Sequence, residues 1–196
     1  MSPFTFIFIG RSGCGKGTQV ELLKKYLEEK YPGPEIFYLE TGDRFRSFIK
    51  GEGYSNKLAY EIYQAGSRQP DFLAVWMWSH ILVDSFKGTE HFIADGMPRS
   101  YPEALALATA LKFYSRRAYV VYLNVSRHWS EERLLARGRF DDQSEAEVKK
   151  RLDWFETDVM SAVQYFRMDP QYTFLDIKGE QSIEQVNTEL MQQLGI

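Results

Sequence analysis

The residues best suited to chemistry stand near the N-terminus, in Gly10-Arg11-Ser12-Gly13-Cys14-Gly15-Lys16-Gly17-Thr18. Glycines at this spacing give a loop the unusual dihedrals and close approach by which successive backbone N–H groups converge on phosphate oxygens. A helix starting at the end of the loop adds its positive pole, and Lys16 adds a point charge for β and γ phosphates. The strict phosphate-loop pattern sets Ser or Thr directly after the lysine, whereas here Gly17 precedes Thr18. The plain alternative is a chance glycine turn. With glycine at about 7% of residues in ordinary proteins, both glycines and the lysine between an apolar run and a helical one make a rare coincidence. A nucleotide is therefore expected, without the reaction being specified. Arg11 and Cys14 read as loop filler: a thiol at a helix start can be acidified, but no base or second cysteine lies near it.

Such a loop needs a strand before it and a helix after it. Phe4–Ile9 is a continuous apolar, β-prone run of the kind buried on both sheet faces. Val20, Leu22, Leu23, Tyr26 and Leu27 then recur at helical spacing until Pro32-Gly33-Pro34 stops them. Further strands are expected at Ile36–Leu39, His91–Ala94, Ala118–Val125 and Tyr172–Ile177. Between them lie a helical turn at Phe45–Lys50, helices at Lys57–Ala65 and Pro102–Tyr114, and one from Ser130 to about Ala136. A long helix at Phe72–Phe86 has Asp71 as its expected cap. Ser144 with Glu147, before a long helix ending near Phe166, and Ser182 with Gln185, before the last helix, form capping-box patterns. Strands alternating with helices predict an α/β fold whose parallel sheet is wrapped on both faces. Trp76 and Trp154 fall at core-like helical positions, so packing is expected of both.

A chain of 196 residues suits a single domain, 1–196, rather than two. Hydrophobic residues make up 44% and charged residues 26%, enough for a real core. Lys plus Arg number 24 against 27 Asp plus Glu, and the net charge of −3 lacks the broad positive field of a nucleic-acid binder. Any positive site must be built locally from a few arginines. No apolar run reaches the roughly 18 residues of a membrane helix. The apolar start lacks a basic flank and a small-residue cleavage site, so it reads as a first strand rather than a leader. A lone cysteine excludes an internal disulfide and fits a reducing compartment, and a cytoplasmic location is expected.

Gln19, following Lys16-Gly17-Thr18, brings the loop to Gly-x-Pro-Gly-x-Gly-Lys-Gly-Thr-Gln with Ser12 as the one departure. Three further segments follow in order: Thr41-Gly42-Asp43-Arg44-Phe45-Arg46, Asp95-Gly96-Met97-Pro98-Arg99, and Arg137-Gly138-Arg139-Phe140-Asp141-Asp142 with Lys150-Arg151-Leu152. On these motifs the chain, from Phe4 to about Val186, resembles the adenylate kinases and related nucleoside monophosphate kinases. The resemblance implies a three-layer P-loop fold with a central five-stranded parallel sheet, a helical flap over the monophosphate at 41–72, and a vestigial lid at 137–142. It implies an ATP-dependent phosphotransferase with Mg²⁺ as cofactor.

ATP and a nucleoside monophosphate together carry about six negative charges, so such an enzyme works by positioning groups and neutralising charge. Arginine suits this because it stays protonated and its planar fork matches phosphate oxygens. By the resemblance, Ser12, Gly13, Cys14, Gly15, Lys16, Gly17 and Thr18 hold the ATP phosphates, and Arg133 stacks on the donor adenine. Thr41, Arg46, Gly96, Arg99 and Glu103 bind the monophosphate, while Lys16, Arg99, Arg137, Arg139 and Arg151 surround the transferring group. Asp95 would order water around Mg²⁺ rather than bind the metal directly, and Asp141 and Asp142 would orient arginines. Taken singly, each has a plainer reading as a solvated arginine or a turn aspartate; it is the order of the motifs that sets them apart.

The acceptor base is open. Family members that read adenine carry Gln four residues after the arginine of Asp-Gly-Phe-Pro-Arg, and UMP/CMP kinases often carry Asn; here Glu103 stands there. A carboxylate only accepts hydrogen bonds, from the amino group of adenine or cytosine or from the N–H groups of guanine. Arg68, in the polar stretch Gly66-Ser67-Arg68-Gln69-Pro70, is expected to pair with Glu103 and neutralise it, which keeps AMP ahead of CMP, UMP and GMP. A non-catalytic nucleotide-binding module or a GTP switch fits less well. Asn56-Lys57-Leu58-Ala59 lacks the Asp of a guanine-reading motif, and Asp95-Gly96-Met97-Pro98 lacks the glycine of an Asp-x-x-Gly switch. With Gly138 alone between Arg137 and Arg139 no moving lid is left, and a homo-oligomer whose neighbouring subunit covers the site is expected. Neither a nucleic acid nor a membrane is an expected partner.

Overall fold

The computed structural model describes residues 2–137 and 145–196. The first apolar run forms β1 (Thr5–Gly10), and its alternation serves two cores: Phe6 and Phe8 belong to one, Ile7 and Ile9 to the other. It pairs in parallel with β3 (His91–Asp95) on one side and β4 (Tyr119–Asn124) on the other. The edges are β2 (Ile36–Glu40) and β5 (Thr173–Lys178), so the five-stranded parallel sheet runs β2-β3-β1-β4-β5. One face is covered by α1 (Lys16–Lys30) and α9 (Ile183–Leu194), which bring Val20, Leu23, Leu27, Val186 and Leu190 onto Phe6 and Phe8.

The other face carries α4 (Asp71–Ser85), α5 (Tyr101–Phe113) and α8 (Met160–Met168), packed around Trp78, Leu107 and Phe166. Two smaller units sit at the end of the sheet where the strands finish. In one, α2 (Thr41–Phe48) and α3 (Tyr54–Gln64) close over Ile49, Ala59 and Leu73. In the other, α6 (Arg127–Arg137) meets α7 (Glu145–Trp154) through Leu134, Val148 and Leu152.

All five strands fall within one residue of their expected bounds. Helix starts differ, each for a local reason. α2 begins at Thr41 rather than Phe45 because the Glu40 carboxylate caps it, accepting from the Asp43 N–H at 2.7 Å. Asp71 does not cap α4: Pro70 holds that position, and the Asp71 carboxylate turns instead to Arg68 at 2.7 Å and to the Ser100 hydroxyl at 2.5 Å. α6 starts at Arg127, where the Ser126 hydroxyl accepts from the Trp129 N–H at 3.2 Å, and Ser130 is buried within the helix.

The long helix expected up to Phe166 is α7 and α8 joined by a π-helical turn, Phe155–Val159, and it runs on to Met168. Ser144, its expected cap, lies outside the described residues. The Ser182–Gln185 box is present as expected. Trp78, not Trp76, fills the core: residues two apart on a helix cannot share a face, and Trp76 is 45% exposed, stacked on His80. Among the described residues no helix is long and apolar enough to cross a membrane.

One buried group near the sheet edge makes the fold sensitive to acid. His91, the first residue of β3, accepts the Phe4 N–H at Nδ1 over 2.9 Å and stacks on the Phe4 ring. That bond sets the neutral tautomer with its proton on Nε2. Burial first, and the Arg116 charge second, hold its pKa below the ordinary 6.5. The unfolded chain therefore takes up a proton near pH 6.5 that the folded chain accepts only at lower pH. The contribution of His91 is complete above that value and falls as pH drops below it. His91→Gln, which keeps an acceptor for Phe4, should flatten this part of the profile in urea unfolding between about pH 7.5 and about pH 5.5.

Candidate active site

The site is assembled where β1 and β3 leave the same edge of the sheet. β1 ends at Gly10, where a side chain has no room: a Cβ would stand 2.7 Å from the Leu123 carbonyl oxygen of β4. The loop then turns through Gly13 at φ +83° and Gly15 at φ +95°, left-handed geometry that favours glycine. α1 begins at Lys16 with no side chain capping its first turn, and Gly17 and Thr18 are exposed there. These are the N–H groups that a helix start offers to an anion. The Lys16 ammonium donates to the Gly10 carbonyl at 2.9 Å and the Arg11 carbonyl at 3.2 Å, within 3.6 Å of the Cys14 sulfur.

Cys14 is buried and packs in the core beneath the loop. Arg11 is no filler, contrary to expectation. Its guanidinium donates to the Val125 carbonyl at 2.6 Å and to Glu156 at 2.6 Å, and lies 4.3 Å over the Phe155 ring.

The other side of the site grows from the ends of β2 and β3. Asp95 closes β3, buried, and accepts from the Tyr38 hydroxyl at 3.1 Å. Burial, then the Asp95 charge, push the Tyr38 hydroxyl above its ordinary pKa, so it stays a donor. Gly96 follows at φ +74°, and its carbonyl accepts from the Thr41 hydroxyl at 3.0 Å and from Arg99 Nε at 2.7 Å. One turn of chain thereby joins α2 to the Arg99 segment. Arg46 donates to Asp43 and lies 3.8 Å from Glu40. Burial raises the Glu40 carboxyl pKa above its ordinary value, while the Asp43 N–H and Arg46 pull the other way.

Glu103 is buried in the first turn of α5, one carboxylate oxygen accepting the Arg99 N–H at 2.5 Å. The expected Arg68–Glu103 pair is not formed. Arg68 bonds Asp71 at 2.7 Å and lies 3.5 Å from Asp158, reaching Glu103 only as a nearby charge. Burial raises the Glu103 pKa, opposed by the Arg99 N–H and by the charges of Arg99 and Arg68.

A cavity of about 840 Å³ joins the two sides. Ser12, Gly13 and Gly15 to Thr18 line one end, Arg46, Gly96, Arg99 and Glu103 the other, with Asp95 between and Arg133 and Arg151 around it. Thr41 and Cys14 support the walls without lining them. Arg133 lies 4.4 Å over the Trp129 ring. Trp154, expected to be core, is half-buried and faces the cavity. The Arg137 side chain, Arg139, Asp141 and Asp142 lie outside the described residues.

Tyr38 and Asp158 were not legible as site residues, one hidden in an apolar strand run and the other in a polar helix. Among the described residues no cluster of three or more His, Cys, Asp or Glu side chains is arranged for a metal. A cavity with a phosphate loop at one end and arginines at the other is suited to bringing two phosphate groups together.

Known proteins are similar to this chain along nearly its whole length. The chain is 31% identical over 189 residues to an adenylate kinase of Flavobacterium psychrophilum, with 94% of each chain aligned. It is 32% identical over 189 residues to one of Parabacteroides distasonis, covering 92% of each. An adenylate kinase 1 of Nostoc sp. is 31% identical over 192 residues, 96% of this chain and 97% of the relative. The family model described as adenylate kinase matches residues 8–171, from within β1 to the residue before Tyr172, and the chain belongs to the adenylate kinase family.

Proposed function

We propose that this chain is a nucleoside monophosphate kinase that transfers the γ-phosphate of ATP reversibly to AMP, giving two ADP. The observation that carries the reading is the shared cavity, with the Lys16 loop at one end and Arg46 and Arg99 at the other. ATP lies with its phosphates on the loop amides, and Lys16 moves from the loop carbonyls to the β and γ oxygens. Arg46 and Arg99 hold the acceptor phosphate, which is already ionised at neutral pH, so no general base is needed to free a nucleophile. Arg151, with Arg137 and Arg139, neutralises the charge that spreads over the transferring oxygens, and Arg133 stacks on the donor adenine. The flap at 41–72 closes on the monophosphate, and the short stretch at 137–142 takes the place in sequence of the family's lid.

Asp95 fits the part of a carboxylate that orders water around a magnesium ion. It is a single carboxylate held by Tyr38 at the cavity floor, as expected for a metal bound through water and substrate phosphates. When bound there, Mg²⁺ would neutralise phosphate charge. Such a catalyst has no need of an oxidising compartment, and a cytoplasmic location agrees with its lone thiol.

Lys16→Ala should leave a folded protein whose transfer rate, in a coupled assay with ATP and AMP, falls by roughly 10²–10³ or more. Near-normal turnover in that folded variant would sink the assigned phosphate site.

Glu103 is the departure that bears on the base. Glu103→Gln keeps an acceptor for the Arg99 N–H while adding a donor. It should change the relative kcat/KM among AMP, CMP, UMP and GMP and leave the KM for ATP nearly unaltered. An equal effect on all acceptors would remove Glu103 from the base pocket.

Water must be excluded from the donor phosphates during transfer, and the lid stretch is a few residues long. A neighbouring subunit of a homo-oligomer supplies the cover. Light scattering at assay concentration should show a mass above that of the monomer, and a fully active monomer would disprove it.

A further inference from the structure

The π-helical turn Phe155–Val159 carries two carboxylates, and each reaches an arginine from a different part of the site. Glu156 pairs with Arg11 of the phosphate loop at 2.6 Å, the guanidinium resting on the Phe155 ring at 4.3 Å. Asp158 lies 3.5 Å from Arg68, which ends the flap and is bonded at 2.7 Å to Asp71 at the start of α4. Residues two apart on a helix point to nearly opposite sides, so one turn can reach both structures at once, while Phe155 and Val159 line the cavity between them. Just before the turn, Lys150 of α7 donates to the Ala65 carbonyl at 3.0 Å, holding the end of α3 from the same direction.

The two arginine side chains are 13% and 21% exposed and their carboxylate partners 43% and 35%, so solvent screens each pair from the acid side and the pairs act by fixing geometry more than by their net energy. π-turns carry irregular hydrogen bonding and occur frequently at functional sites.

We infer that the turn Phe155–Val159 is a tie that holds the phosphate loop and the foot of the flap, at Arg68, at one separation, the base on which the rest of the flap closes, with Glu156 and Asp158 as its positioning residues. The inference rests on the proposed reading that the loop takes the donor and the flap the acceptor. In-line transfer needs the attacking oxygen and the phosphorus held in near-contact, and a misplacement of about 1 Å costs roughly 10²-fold in rate. Neither carboxylate touches a substrate; each acts by fixing where an arginine-bearing segment stands. ATP alone or AMP alone senses only its own end of the cavity. A ligand that spans both ends senses the distance between them.

The test is a binding comparison on the full chain and on Glu156→Gln and Asp158→Asn. The probes are ATP, AMP, and a bridged compound of two adenosines joined 5′ to 5′ through five phosphates. In each variant the Kd of the bridged compound should rise about tenfold, with ATP and AMP alone changing by no more than about twofold. Glu156→Asp and Asp158→Glu, which keep the charge, should recover most of the loss. Unchanged affinity for the bridged compound, or equal weakening of all three ligands, overturns the tie. Failure of the unmodified protein to bind any of the three refutes the kinase reading instead. The tie is then judged by amide exchange without ligand. Exchange should quicken in α2 and α3 for Asp158→Asn and in residues 10–15 for Glu156→Gln, and unchanged exchange overturns it.

Discussion

The parallel pairing of β1 with β3, which sets Phe8 opposite Asp95, decides where the glycine loop stands relative to the turn that carries Gly96 and Arg99. Parallel strands finish at the same edge of the sheet, so the loop after Gly10 and the turn after Asp95 emerge side by side. A crossover of about 80 residues lies between the two strands in sequence, yet the ladder brings the segments that follow them together. β4, on the other side of β1, presses the Leu123 carbonyl against Gly10 and completes the floor. This is the usual place for a ligand in an open parallel sheet, at the carboxyl ends of its strands.

Gathering so many cations around one cavity is costly unless each has a partner, because burial disfavours an unpaired charge. The partners are local where the chain allows: Arg46 with Asp43, Arg68 with Asp71. Where it does not, backbone carbonyls serve, as Gly96 does for Arg99 and Gly10 and Arg11 do for Lys16. Glu103 inverts the pattern, a buried carboxylate satisfied by a backbone N–H. The charges are thus arranged before any phosphate arrives, the condition under which they stabilise a transition state with little reorganisation.

Much of this was legible in the sequence because phosphate chemistry constrains residues that are close together. The glycine loop, the Thr41–Arg46 segment and the Asp95–Arg99 segment are local patterns, and strands buried on both faces read as plain apolar runs. What escaped was the pairing of distant side chains. Arg11 and Glu156 are 145 positions apart, and no local pattern marks one as the partner of the other. Asp71 looked like a cap because caps and ion-pair partners draw on the same residue types. Trp76 and Trp78 differ only in which side of one helix they occupy, and a helix apolar nearly all round does not reveal its inner face.

The crowding at Gly10 reaches beyond the site, to how a chain like this one tolerates thermal adaptation. Replacing glycine by alanine commonly hardens a protein by about 0.4–1 kcal/mol through the entropy of its unfolded chain. That route is closed at Gly10 by the Leu123 carbonyl and at Gly13 and Gly15 by their left-handed backbone. It stays open at Gly33, where an added methyl group would meet no atom within 4 Å. Descendants of this sequence living in heat are free to rigidify the connection between α1 and β2, while Gly10, Gly13 and Gly15 stay glycine. A gain in heat tolerance at Gly33 therefore leaves those three untouched.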